Sequence, residues 1–199
     1  MTDTDLVLMQ KIKHAWEPDI LEAVGETPIP AEFVAALIAN ESGGHVDAVR
    51  FERNVFAELG EVLLGWRKAY APAGIQHPLG RVELLDYIEP AGVSDFADCL
   101  DRLAELATSR GLTQIMGWHA VEMSRIMPGP QLTPTFYLHF TGELLTYFAN
   151  HYTLDLGKDF EPLLRTWNSG KPDGATFDPH YVANGLRRMD LYRSIQSGH

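Results

Sequence analysis

The stretch VAALIANESGGHVDAVRFERNVF, residues 34–56, places an acid where acids are uncommon. Val34, Leu37 and Ile38 recur at helical spacing from Ala31, and Glu41 falls four residues after Leu37. The carboxylate therefore continues the apolar stripe of a helix over residues 31–41 instead of joining its wet face. Gly43 and Gly44 follow, supplying the left-handed backbone that closes many helices. At a helix C-terminus a carboxylate meets the negative end of the dipole, and partial burial disfavours its charge further. Both effects raise its pKa, as a general acid working near neutral pH requires. The competing reading makes Glu41 a surface acid that caps its helix or pairs with Arg50 or Arg53.

Other chemistries find less support. There is no Gly-rich phosphate loop, and Ser42 is preceded by Asn40 where a serine-hydrolase elbow needs glycine. The eight histidines are scattered without an H-E-x-x-H motif. His119 and Glu122 lie one helical turn apart, but a metal site usually needs three ligands, so no metal is expected. Cys99 is the single cysteine, which excludes an intrachain disulfide and a cysteine-rich zinc site, and its place in DFADCLDRLAEL points to packing.

Composition bounds the rest. A chain of 199 residues with 45% hydrophobic residues and four Trp is read as one globular domain, 1–199. The formal charge of −11 argues against a general nucleic-acid binder and against passive attraction to polyanions. No signal peptide is visible, and no apolar run approaches the roughly 20 residues of a membrane span. The expectation is cytoplasmic synthesis, no membrane insertion and a monomer.

The elements that must position Glu41 read as helices. Residues 5–24 suggest one or two amphipathic turns broken at Pro18, forming an N-terminal cover within residues 1–28. Residues 45–52 suit a short strand or an extended loop. A helix is expected from Asn54 to Tyr70, with Phe56, Leu59, Leu63 and Trp66 at helical spacing. Pro and Gly in APAGIQHPLG mark a loop. Ser94–Thr108 predicts an amphipathic helix capped by Ser94, with Phe96, Leu100, Leu103 and Ala107 as its stripe. Thr113–Met127 suggests a buried helix, and 134–152, 159–167 and 179–195 three more, the last with Asp178 as N-cap and Pro179 at N1. The fold class is all-α, with at most a minor β-hairpin.

Five short motifs occur in order: Glu41-Ser42-Gly43-Gly44, Arg50-Phe51-Glu52-Arg53, Gly111-Leu112-Thr113-Gln114-Ile115-Met116-Gly117, Trp167-Asn168-Ser169-Gly170 and Tyr181-Val182. In these the chain resembles the lysozyme-like peptidoglycan-cleaving enzymes, namely soluble lytic transglycosylases, goose-type lysozymes and phage-type N-acetylmuramidases. The E-S-G-G, R-F-E-R and Q-I-M-G segments look closest to the muramidase branch found in endolysins. The likeness spans about residues 31–190. It departs from that pattern at Thr113, often Met, Phe or Gly in those enzymes, and at Trp167, where they carry tyrosine.

The resemblance implies a lysozyme-like helical domain, without cofactor, that cleaves the β-1,4 bond between N-acetylmuramic acid and N-acetylglucosamine in peptidoglycan glycan strands. Glu41 would protonate the glycosidic oxygen. Ser42, Gln114, Asn168 and the backbone of Ile115 and Met116 would hold the sugars. His119 would line the site, Trp167 would offer a ring face to a pyranose, and Tyr181 would reach back toward Glu41. Glu52 is the nearest second carboxylate, ahead of Asp47; it is equally suited to pairing with Arg50 or Arg53. A transglycosylase needs no second carboxylate, because the substrate's N-acetyl group assists and the muramic O6 attacks. Arg165, Lys171, Arg187 and Arg188 are the basic residues expected to attract substrate. Without a signal peptide, the protein would reach the wall by release or by other delivery machinery. A catalytically silent glycan-binding relative and an all-α interaction domain remain alternatives.

Overall fold

The computed structural model describes residues 4–72, 77–88, 95–119, 121 and 133–196. Among them the chain is mostly helical, with eight helices and two minor sheets. In chain order the elements are α1 (Thr4–Val24), α2 (Ala31–Glu41), β1 (Val49–Phe51), α3 (Arg53–Leu63), β2 (Ala69–Tyr70), β3 (Leu79–Gly80) and α4 (Arg81–Ile88). Then come α5 (Phe96–Leu106), β4 (Thr108–Arg110), β5 (Ile115–Met116), α6 (Pro134–Tyr152), α7 (Phe160–Ser169) and α8 (Tyr181–Ser194). Contacts group these into two compact units. Unit 1 holds the described residues up to Asp47, Gly111–Thr113 and those from Thr133 on; unit 2 holds the remainder.

Unit 1 is built around α2. Residues Phe33 to Ala39 are all buried, as suits a helix that is apolar on every side. α1 and α8 pack against it. α1 runs unbroken through Pro18, contrary to the expected break. Met9, Ile12, Ile20 and Val24 are buried in one core cluster, while Pro18 is exposed. Burial of both halves therefore outweighs the roughly 3 kcal/mol that an internal proline costs an isolated helix. α6 has Pro134 at its first turn and the Thr133 side chain accepting from Phe136 N at 3.2 Å. α8 starts at Tyr181, two residues later than predicted. Asp178 Oδ1 accepts from His180 N at 2.8 Å, so Asp178 shapes the turn into the helix instead of capping it.

Unit 2 packs α3, α4 and α5 around Leu59, Val62, Leu84, Leu103 and Leu106. Its three-stranded sheet has the order β1-β4-β5, antiparallel throughout, with Arg50 opposite Ser109 and Ser109 opposite Met116. β2 pairs with β3. The helix expected to reach Tyr70 stops at Leu63. Gly65 takes φ +77°, Trp66 is 79% exposed, and Ala69 and Tyr70 extend as a strand. The helix expected from Thr113 is a turn followed by β5, and the described residues end there at Val121. α5 is capped by Asp95, whose Oδ1 accepts from Asp98 N at 3.0 Å; Ser94 lies outside the described residues. Of its expected stripe, Leu103 and Ala107 are buried, whereas Phe96 is 73% exposed. α4 was not anticipated.

Candidate active site

The acid-bearing end of α2 meets the first turn of α8 inside unit 1. Gly185 of α8, without a side chain, lies against both α7 and the end of α2. A Cβ there would sit 2.7 Å from Leu164 Cδ1 and 3.3 Å from Asn40 Nδ2. At this closeness the hydroxyl of Tyr181 donates to Glu41 Oε1. Tyr181 is 6% exposed, and burial first, then the charge of Glu41, pushes its phenol well above the usual tyrosine range. It thus remains a donor at any physiological pH. Glu41 itself is half-buried, on the last residue of the helix.

A polar network continues behind this pair. Asn40 Nδ2 donates to the carbonyl of Tyr181 at 3.0 Å, and its Oδ1 accepts from Arg188 Nη1 at 2.6 Å. Arg188 Nη2 donates to Asp5 Oδ1 of α1 at 3.0 Å, and Arg187 also pairs with Asp5. Burial of the Asp5 carboxyl opposes its ionisation, but the bonds and charges of the two arginines outweigh that and hold it below the ordinary range. Two of the four basic residues expected to attract substrate are therefore engaged here. A third, Arg165, pairs with Glu161 at 2.9 Å, and Lys171 is exposed.

The remaining predicted residues of unit 1 surround the two helix ends. Ser42 caps α2: its N–H and its hydroxyl both donate to Ile38 O, at 3.0 and 3.2 Å, and its Oγ accepts from Gly44 N at 3.2 Å. The hydroxyl proposed for sugar contact thus also closes the turn, aided by Gly43 and Gly44 at φ +62° and +84°. Asn168 Oδ1 accepts from Phe177 N at 3.0 Å and so ties down the loop that leads into α8. Trp167 is half-buried, edge-on to Phe148 with ring centroids 6.4 Å apart. Gly43, Gly44 and His45 border a cavity of about 420 Å³ whose other wall is Val7, Leu8, Ile12 and Trp16 of α1. That volume lies within the range of small-ligand sites.

Unit 2 gathers the other predicted residues around its sheet. Gln114 adopts φ +54°, the left-handed region that non-glycine residues seldom occupy. Its side chain stabilises the bend by accepting from Ser109 Oγ at 2.8 Å and donating to Ala48 O at 3.1 Å. Gln114 thus joins the β4–β5 turn to the chain entering β1. Glu52 is paired with Arg50, the structural alternative raised for it by the sequence. Ile115 is buried in β5, Met116 packs on the unit's core, and His119 is 3% exposed with its ring 3.7 Å from that of Trp118. The predicted set is therefore distributed: Glu41, Ser42, Trp167, Asn168 and Tyr181 belong to unit 1, and Glu52, Gln114, Ile115, Met116 and His119 to unit 2.

No protein-family model, curated protein or solved structure matches this chain. The chemistry must be argued from the residues. Among those described, no group of three or more His, Cys, Asp or Glu is placed to hold a metal ion, and no helix is long and apolar enough to cross a membrane. Glu122, the partner considered for His119, lies outside the described residues. The arrangement at Glu41 can give and take a proton at a carboxylate whose one oxygen is held by a neutral phenol. Sequence reading missed Asp5, Asn40 and Trp16. Arg188 was named only as a basic residue that attracts substrate, although its place seven residues after Tyr181 puts it on the same face of α8.

Proposed function

We propose that this protein cleaves the glycan strands of peptidoglycan, with Glu41 as the general acid. It would be a lysozyme-like helical muramidase of the endolysin type, acting on the wall after release or delivery by other machinery. The observation that carries the reading is the Tyr181 hydroxyl on Glu41 Oε1, at the end of a helix buried from Phe33 to Ala39. The phenol fixes the orientation of the carboxylate, as proton transfer to a leaving group requires. With Oε1 bound to the phenol, the proton on Oε2 passes to the bridging oxygen as the bond from the muramic C1 breaks. In hydrolysis, water then adds at C1 and gives its proton to the Glu41 carboxylate, which restores the acid. The order of the five motifs supports the same reading.

One observation favours the transglycosylase variant. Glu52, the nearest second carboxylate in sequence, is already engaged by Arg50. In that variant the substrate's acetamido group assists departure at C1. The muramic O6 then attacks C1 and gives its proton to the Glu41 carboxylate, closing a 1,6-anhydro ring. Digestion of purified peptidoglycan by wild type and Glu41→Gln, with products weighed by mass spectrometry, tests both. Wild type should release muropeptides, and the variant should be slower by about a hundredfold or more. An anhydro end, one water lighter than a reducing end, assigns the transglycosylase. Equal rates in the two proteins would remove Glu41 from the mechanism.

A further inference from the structure

Arg188 is an expensive residue to place where it is. Its side chain is 15% exposed, and its Nε is buried with no hydrogen-bond partner among the described residues. A leucine or methionine would fill similar space without leaving a donor unsatisfied. What arginine supplies instead is a planar fork with donors at fixed angles. Nη1 reaches Asn40 and Nη2 reaches Asp5, at 2.6 and 3.0 Å. Asn40 is the chain neighbour of Glu41, and its other side-chain atom holds the backbone carbonyl of Tyr181. One guanidinium thus binds together α1, the residue beside the acid and the helix that brings the phenol.

We propose that Arg188, anchored by Asp5 and acting through Asn40, is a positioning residue that sets the hydrogen bond between Tyr181 and Glu41. Its guanidinium bonds to Asn40 and Asp5, and it works by holding the end of α2 and the start of α8 in register. The inference rests on the reading of Glu41 as the acid. Two features make the coupling tight. Gly185 lets Asn40 and α8 approach to van der Waals contact, so slippage of α8 has no slack to absorb it. Asp5 approaches from a third helix and is shared by Arg187 and Arg188, which keeps the guanidinium from swinging out.

The test uses the whole chain and two independent measurements. Tyrosine labelled with ¹³C at Cζ reports phenol hydrogen bonding, and the Tyr181 resonance is assigned by its loss in Tyr181→Phe. In Arg188→Met that resonance should move toward its position in Glu41→Ala, while kcat on peptidoglycan falls about tenfold to a hundredfold with KM held within about twofold. Arg188→Lys keeps the charge without the fork and should recover only part of kcat. A folded Arg188→Met whose Tyr181 resonance stays at the wild-type position overturns the proposal. If Arg188→Met does not fold, Asp5→Asn is read in the same way, with a smaller shift expected and an unmoved resonance again decisive. A wild-type protein inert on peptidoglycan sinks the muramidase reading instead, and the resonance still decides the positioning role.

Discussion

The bond from Tyr181 to Glu41 joins a pair named by the sequence, whereas the network that supports it was not. Removing the phenol with Tyr181→Phe leaves the ring's packing in place and deletes only the donor. The expected loss is about 1 kcal/mol of stability, read from urea unfolding, because a half-exposed carboxylate recovers part of the bond from water. Activity on peptidoglycan should fall by a larger factor, about tenfold or more, since loss of the phenol donor widens the range of orientations open to the carboxylate. Equal kcat in the two proteins would show that the phenol serves packing alone. Gln114 behaves differently from its expected role. Its amide is committed to Ser109 and Ala48, so Gln114→Ala should lower the melting temperature, and any effect on glycan affinity would follow from the distorted turn.

Among the elements, two glycines in unit 2 separate crowding from backbone strain. Gly117 follows β5, with its N–H donating to Thr108 O at 2.8 Å. A Cβ on it would fall 2.0 Å from the Glu105 carbonyl oxygen, so Gly117→Ala must move β5 away from α5. The expected cost is about 3 kcal/mol. Gly65 has φ +77° but open space around its Cβ position, so Gly65→Ala should cost only about 1 kcal/mol. Calorimetric unfolding of both variants checks the ranking; a costlier Gly65 variant would contradict it. The same distinction explains what the sequence could reveal. α2 and α6 were legible to the residue at both ends, because the apolar periodicity that marks them is local. β5 was not, since the left-handed bend at Gln114 depends on Ala48 and Ser109, which are distant in sequence from one another. Pro18 misled because packing against the unit 1 core overrides a local penalty. Trp66 misled because a spacing of three after Leu63 continues a helix on paper, while the backbone had already turned at Gly65. The Asp5–Arg188 pair joins residues 183 apart, and no local pattern records it.

For the molecule as a whole, buried phenols set the alkaline limit. Tyr70, Tyr87, Tyr181 and Tyr192 all have pKa values raised above the usual 10.0, in each case first by burial. Below that pH both folded and unfolded chains keep these protons, and stability does not depend on them. Above it the unfolded chain releases them and the folded chain does not, so stability falls as pH rises past about 10. The urea midpoint should therefore drop between pH 9 and pH 11, and less so in Tyr181→Phe; a flat profile would contradict the burial of these rings. The distance in sequence between Glu41 and Tyr181 also orders events during synthesis. The two are 140 residues apart. At the pace of a ribosome, roughly 5–20 residues per second, α2 waits on the order of 10 s for α8 to emerge. Throughout that interval its buried face from Phe33 to Ala39 lacks the helix that covers it, which makes the nascent chain a natural client for a chaperone. A translation product cut short before Tyr181 would carry Glu41 without its phenol partner.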